Sequence, residues 1–315
     1  MFVERAKRVL VIRHGAFGDL VQIDGVLRDI RAHHPDAEIV LLTSPAFAKL
    51  MSRCPHVDRI LTDSRAPYWH LRTFLGLWRT FVHEAFDKVY DLQKTDRTQL
   101  YRRLMLRHSD WSGQPPRTAQ VSAMAGYVEQ LQQAGVPVTN SERPHVDWMA
   151  ADISALLDEK GLRRPWVFLV PGCSAKHPQK RWPYFDQLAD RLLALGIDCC
   201  QAPGPDELEL AATIPGHVLM RGGRWLDWFE LAGVIQAADF VVGNDTGPSH
   251  VASCLGKSGL ALFGPHTSAE RTGIVRGGFQ AMEVPNLAEL SVDDVLARIL
   301  AGMARQPEAG QANSV

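Results

Sequence analysis

The chain has 315 residues, a length that suits two domains, each large enough for its own core. Its 34 Lys and Arg stand against 35 Asp and Glu, a formal net charge of −1, so composition gives no electrostatic support for nucleic-acid binding. Five cysteines, an odd number with no C-x-x-C pair, argue against a disulfide framework or a zinc site, and no window is apolar for long enough to span a bilayer.

The first residues, Met1-Phe2-Val3-Glu4-Arg5, run almost directly into an apolar stretch, so no signal peptide is read and the cytoplasm is the expected location. Short apolar runs then alternate with segments of helical period. Residues 9–12 predict a strand, 20–32 a helix, 39–42 a strand, 68–86 an aromatic-rich helix and 87–92 a strand. Residues 99–106 and 121–134 have helical period. Pro144 and its polar neighbours interrupt the pattern between 140 and 165, and it restarts with a strand at 166–170. A helix at 184–195, a strand at 197–201, a helix at 206–213, a strand at 217–220 and a helix at 228–236 follow. A strand at 239–242, a helix from Pro248 to about Leu255, a strand at 260–263 and a last helix at 292–303 complete the set. Strands alternating with helices imply α/β domains with doubly wound parallel sheets. Residues 1–163 and 164–305 are expected to form one domain each, with 306–315 a polar tail.

Four strand-to-helix turns carry chemistry. In such sheets ligands bind beyond the carboxyl ends of the strands, so these turns can face one cleft. After the first strand comes Arg13-His14-Gly15-Ala16-Phe17-Gly18-Asp19. Its glycines do not have G-x-G-x-x-G spacing, and no acidic residue clearly ends the second strand, which disfavours a nicotinamide dinucleotide. Asp19, at the opening of a helix, can accept a proton from an alcohol nucleophile or merely cap the helix. After the strand at 166–170 comes Pro171-Gly172-Cys173-Ser174-Ala175-Lys176-His177-Pro178-Gln179-Lys180-Arg181-Trp182-Pro183. Lys180 and Arg181 can neutralise a departing diphosphate, although loop cations are usually solvated surface, and Trp182 reads as packing. After 197–201, Asp206 or Glu207 can bind ribose hydroxyls, and helix capping by Asp206 explains the same residues about equally well.

The fourth turn, Gly243-Asn244-Asp245-Thr246-Gly247-Pro248-Ser249-His250, is the most informative stretch. Its glycines let backbone approach a ligand closely, Asp245 or Thr246 can cap the new helix, and the N–H groups at that helix start suit a phosphate. His250, one turn in, can donate to the same anion. No Asp-x-Asp pair follows a strand to hold Mg²⁺, so cationic side chains and a helix dipole are the expected stabilisers, with no metal. Gly256-Lys257-Ser258 follows a helix and lacks the spaced glycine of a Walker loop, which excludes that reading.

The first turn, Lys180-Arg181-Trp182-Pro183, the fourth turn, and Leu262-Phe263-Gly264-Pro265-His266-Thr267-Ser268 after the last apolar strand resemble the signatures of lipopolysaccharide core heptosyltransferases. The resemblance implies a GT-B architecture of two Rossmann-like domains, an acceptor-binding one followed by a nucleotide-sugar-binding one. It implies inverting, metal-independent transfer of heptose from ADP-heptose to a lipopolysaccharide-core or related glycan, with no cofactor beyond the donor. Asp19 would match the family's catalytic base and Lys180 its diphosphate-binding lysine. Asp245, Thr246, Gly247 and His250 would match the donor-phosphate loop, Ser174 a hydroxyl near phosphate, and Glu207 or Asp206 the acidic ribose contact. His14, Gly15 and Gly18 would lie on the acceptor side. The chain departs from the family where Asp24-Gly25 stands in place of a proline a few residues into the first helix.

Partners on this reading are a nucleotide sugar and an anionic, lipid-linked glycan at the inner face of the cytoplasmic membrane, with no nucleic acid. Arg65, Trp69, Arg72, Phe74, Trp78 and Arg79 can touch the headgroup region there; inward packing of the aromatics is the preferred reading of the two. A non-catalytic nucleotide-sugar-binding protein and a sugar-nucleotide epimerase of similar architecture are the alternatives.

Overall fold

The computed structural model describes residues 7–67, 69–112, 122–174 and 176–305, so the expected tail at 306–315 lies outside the described residues. The chain divides into two compact units, Met1–Pro144 and His145–Val315. In the first, strands β1 (Arg8–Ile12), β2 (Glu38–Thr43), β3 (Arg59–Thr62), β4 (Lys88–Asp91) and β5 (Asp110–Trp111) form a sheet in the order β3-β2-β1-β4-β5. In the second, β6 (Trp166–Val170), β7 (Asp198–Gln201), β8 (His217–Val218), β9 (Phe240–Asn244), β10 (Gly259–Phe263) and β11 (Phe279–Glu283) form a sheet in the order β11-β10-β9-β6-β7-β8. Every strand pairing in both sheets is parallel.

Both sheets are doubly wound, as the alternating pattern predicts. The central strands are unbroken apolar runs because helices cover both faces of such a sheet; β1, β2, β6 and β10 are buried almost throughout. Leu10, Ile12, Val40, Leu42, Phe81 and Tyr101 lie in the core of the first unit. Val167, Leu169, Trp182, Leu188, Phe240 and Leu262 lie in that of the second. Strand order reverses between β1 and β4 and again between β6 and β9, and the loops beyond the carboxyl ends of those pairs flank a ready crevice.

Several local expectations change. The predicted helix at 20–32 is two helices, Phe17–Gln22 and Asp24–His33, meeting at Ile23. Here Gly25 has a reason of its own: a Cβ would fall 2.1 Å from the Asn140 carbonyl oxygen. The segment from Thr139 to Ser141 crosses that helix and donates backbone and side-chain hydrogen bonds to Asp29. β3, β5, β11 and the helix Ser154–Lys160 are additional elements. β3 and β5 are short edge strands, which carry little periodic signal. Residues 145–163, given to the first domain by sequence, pack within the second unit. The Ala151 N–H donates to the Phe229 carbonyl, and Gly233 has no room for a Cβ beside Ala151. Cys199 and Cys200 are core thiols; burial pushes Cys199 up to about 11 and Cys200 well above its ordinary value. Among the described residues no helix is long and apolar enough to cross a membrane.

Candidate active site

In the second unit, Asn244 ends β9 and joins the loops at the switch point. Its side-chain amide donates to the carbonyls of Pro171 at 2.8 Å and Gly172 at 3.3 Å, and its oxygen accepts from the Trp182 N–H at 2.9 Å. Trp182 is a packing residue, 1 % exposed, with its indole N–H on the Leu290 carbonyl. These bonds hold the loop after β6 so that Lys180, in the short helical turn Pro178–Lys180, turns its ammonium to Asp245 at 2.5 Å.

Asp245 is 3 % exposed and lies among three basic side chains: Lys180, His250 with Nε2 3.3 Å from Oδ1, and His266 with Nε2 3.5 Å from Oδ2. Burial alone would raise the Asp245 carboxyl, but hydrogen bonds from His250 and Lys180 outweigh it and hold the pKa well below the carboxylate range. Burial, then the charge of Lys180, push the His266 imidazole down, against the opposing pull of Asp245. The helix Gly247–Cys254 opens directly after this cluster, with Pro248 in its first turn. Its first N–H groups have no intrahelical acceptor, which gives the corner a positive end. Neither expected cap acts through its side chain. Thr246 occupies the N-cap position with its hydroxyl buried and unpartnered, and Asp245 is committed to the basic side chains. The close approach that Gly243 permits is to protein, since a Cβ there would stand 2.5 Å from Val170 Cβ and 2.8 Å from Ser249 Oγ.

Glu207 reaches the same edge from the loop after β7. Its carboxylate accepts from the Gly204 N–H at 2.9 Å and lies over Gly172, where a Cβ would meet Oε1 at 1.7 Å. Asp206 is exposed, and Glu207 rather than Asp206 holds the N-cap position of the helix Leu208–Ala211. Ser174 is exposed, and its hydroxyl accepts from the Lys176 N–H within its own loop. Beyond β10 and β11 an open cavity of about 460 Å³ is lined by Pro265, His266, Ser268, Arg271 and Glu283 among others. His266 therefore joins that cavity to Asp245.

In the first unit, Asp19 is the third residue of the helix Phe17–Gln22, 41 % exposed, accepting from the Ala16 N–H at 2.9 Å and pairing with Arg13 at 2.6 Å. Arg13 is fixed in turn by the Leu92 carbonyl beyond β4. His14 is buried, its N–H on the Gln93 side chain and its Nε2 3.2 Å from Asp63. Asp63 also accepts from Arg97 and from the Tyr101 hydroxyl. Burial would raise that carboxyl, but hydrogen bonds from His14, Arg97 and Tyr101 keep it well below the usual range. Gly15 has φ +142°, and a Cβ there would stand 2.7 Å from the Phe47 ring, so the loop needs glycine at this point. Gly18 is buried inside the first turn of the helix.

Thus the structure brings Lys180, Asp245 and His250 into one cluster, with Thr246 and Gly247 at the adjoining helix start. Glu207 sits over Gly172 on the neighbouring loop. Sequence reasoning missed Asn244, His266, Arg13 and the Asp63–Arg97–Tyr101 group. The first three stand inside motifs that it quoted.

Comparison with known proteins agrees with this fold. The chain is 21 % identical over 296 residues to the lipopolysaccharide core heptosyltransferase OpsX of Haemophilus influenzae, an alignment covering 84 % of this chain and 81 % of that one. A glycosyltransferase family 9 structure from Veillonella parvula superposes with a TM-score of 0.80 at 19 % identity, covering 95 % of this chain and 98 % of that one. The Escherichia coli heptosyltransferase WaaC, solved with ADP-2-deoxy-2-fluoro heptose, gives 0.69 at 19 % identity, covering 93 % and 99 %. The fold is that of the GT-B heptosyltransferases. Since the family model for glycosyltransferase family 9 (heptosyltransferase) matches residues 109–286, more than half of the sequence, the chain belongs to that family and is a glycosyltransferase.

Proposed function

We propose that the protein transfers heptose from ADP-heptose to a lipopolysaccharide-core or related lipid-linked glycan by a single inverting displacement that needs no metal and no cofactor. The carrying observation is Lys180 held 2.5 Å from Asp245 beside the opening of the helix Gly247–Cys254, a cation and a helix dipole at one sheet edge. The heptosyltransferase WaaC, of the same fold, is described with an ADP-heptose analogue, which supports an ADP-linked donor.

On this reading the donor diphosphate lies at Lys180, Thr246, Gly247 and His250. Asp245 orients the two basic groups, Glu207 holds the ribose, and Ser174 lies near phosphate. Asp19 takes the proton of the acceptor hydroxyl as its oxygen bonds to the anomeric carbon. The bond from that carbon to the diphosphate oxygen breaks with inversion, and ADP departs with the electron pair. Lys180 and the helix start stabilise the charge that grows on it. His14, Gly15 and Gly18 shape the acceptor-side loop on which Asp19 stands.

The test is ADP release from ADP-heptose with and without a deacylated core glycan, with mass analysis of the glycan. Acceptor-dependent ADP release with a heptose added to the glycan is expected. Thermal-shift comparison of ADP, UDP and GDP should single out ADP, because a ligand that binds the folded state raises its melting temperature. Stabilisation by another nucleotide alone would overturn the donor, and isomerised sugar from donor alone would overturn transfer.

A further inference from the structure

The helix Leu71–Glu84 is apolar on two faces, and only one of them is covered. Phe74, Leu77 and Phe81 pack on the core of the first unit. Leu75, Trp78 and Val82, at positions i, i+3 and i+7, point outward with 46 %, 41 % and 55 % of their surface exposed, and Trp69 just before the helix is 76 % exposed. The expectation that this segment packs its aromatics inward holds for Phe74 and fails for both tryptophans.

The charge on this stretch is of one sign. Residues 64–83 contain three arginines and two histidines and no Asp or Glu. Arg65, Arg72 and Arg79 are all exposed. The flanking acids are engaged elsewhere: Asp63 is buried against Arg97, and Glu84 pairs with Arg59 and Arg8. A stripe of Trp, Leu and Val edged by arginines matches the interface of an anionic bilayer, where indole rings sit at headgroup depth and guanidinium groups meet phosphate. A second copy of this chain fits less well, because an isologous contact would set like charges against each other.

We propose that the outer face of the helix Leu71–Glu84, with Arg65 and Trp69 at its entry, docks on an anionic phospholipid surface. The topology gives the contact a purpose. β3 delivers the chain to the carboxyl edge of the first sheet, where the loop carrying Asp19 also lies, and Arg97 pins the connecting segment through Asp63 and the Ala66 carbonyl. The inference deepens the proposed function, since a lipid-anchored acceptor would reach that edge from the membrane, but its observation is independent of the donor.

The experiment is co-sedimentation of the full chain with vesicles of phosphatidylglycerol mixed into phosphatidylcholine, and with phosphatidylcholine alone. The wild type should sediment with the anionic vesicles, and less at high salt. The variant Leu75→Ser/Trp78→Ser/Val82→Ser should bind about tenfold or more weakly. The variant Arg72→Ala/Arg79→Ala should lose the salt-sensitive part. Both should remain folded, because none of the altered side chains belongs to the core of the first unit, and should keep wild-type turnover of a deacylated acceptor in free solution. Wild type remaining in the supernatant, triple-serine protein binding as well as wild type, or a wild-type dimer that the triple variant dissociates would overturn the proposal. The last outcome would identify a second copy as the occupant. Vesicle binding reads out even if no transfer is found, so the two readings fail separately.

Discussion

Lys180 Nζ stands 2.5 Å from Asp245 Oδ2, and that contact links the loops after β6 and β9 across the switch point of the second sheet. The Lys180 side chain is 23 % exposed while that of Asp245 is 3 % exposed, so the buried carboxylate anchors a lysine that is itself only partly covered.

Replacing Lys180 by Met removes the cation and keeps the stem. If Lys180 stabilises the departing diphosphate, kcat falls by about 10²–10³, the loss found for a single preorganised oxyanion donor. Steady-state kinetics with saturating donor measure this. Lys180→Arg, which restores the charge, should recover part of the rate. A Met variant with undiminished kcat removes Lys180 from the leaving-group side.

Asp19→Asn separates general-base chemistry from folding. The amide oxygen can still accept from the Ala16 N–H that opens the helix, so the loop keeps its anchor. Transfer should fall by about 10²–10⁴, the usual contribution of general acid–base catalysis. Calorimetric ADP affinity should be unchanged, because the partners of Asp19 are Arg13 and Ala16 of the first unit. Equal losses in binding and turnover would point to a structural role.

The acid limb of stability should carry a histidine signature. Burial, followed by the charges of His33, Lys88 and Arg31, pushes His34 down to about 4. The unfolded chain binds that proton near pH 6.5, before the folded protein does, so stability is fully present above about 6.5 and is lost as pH falls toward 4. Urea unfolding at a series of pH values should show this slope, and His34→Gln should flatten it. Ring-proton NMR should find the half-buried His34 titrating well below pH 6.5; an ordinary titration would contradict the shift.

Much of the architecture was legible because parallel strands buried on both faces are unbroken apolar runs, as in residues 9–12, 39–42 and 166–170. Edge strands lacked that signal: β5 has two residues and β3 is only half-buried. The cluster at Asp245 was legible as glycine, proline and histidine at a strand-to-helix corner. The commitment of Asp245 to Lys180 was not, because the two are distant in sequence and meet only through sheet order. His266 illustrates the same limit, since its motif was visible but its packing beside Asp245 depends on β9 and β10 being neighbours. The outward turn of Trp78 depends on which stripe of the helix Leu71–Glu84 the sheet covers, and both stripes are apolar.

Asn244 gives a prediction that stands apart from any view of the substrate. It is fully buried, and its side chain makes three hydrogen bonds, to the carbonyls of Pro171 and Gly172 and from the Trp182 N–H. Asn244→Ala would leave those backbone groups without partners where water does not reach, at about 1–3 kcal/mol for each group left unmet. Asn244→Asp keeps the acceptor for Trp182 but sets a carboxylate oxygen against two carbonyls, so it should be at least as destabilising. Urea unfolding measures both. Because the same bonds place the loop that carries Lys180, any Asn244→Ala protein that still folds should bind ADP more weakly in calorimetry, while Asp19 in the first unit is unaffected. Stability equal to wild type would mean that the β6 loop is held by the packing of Trp182 alone.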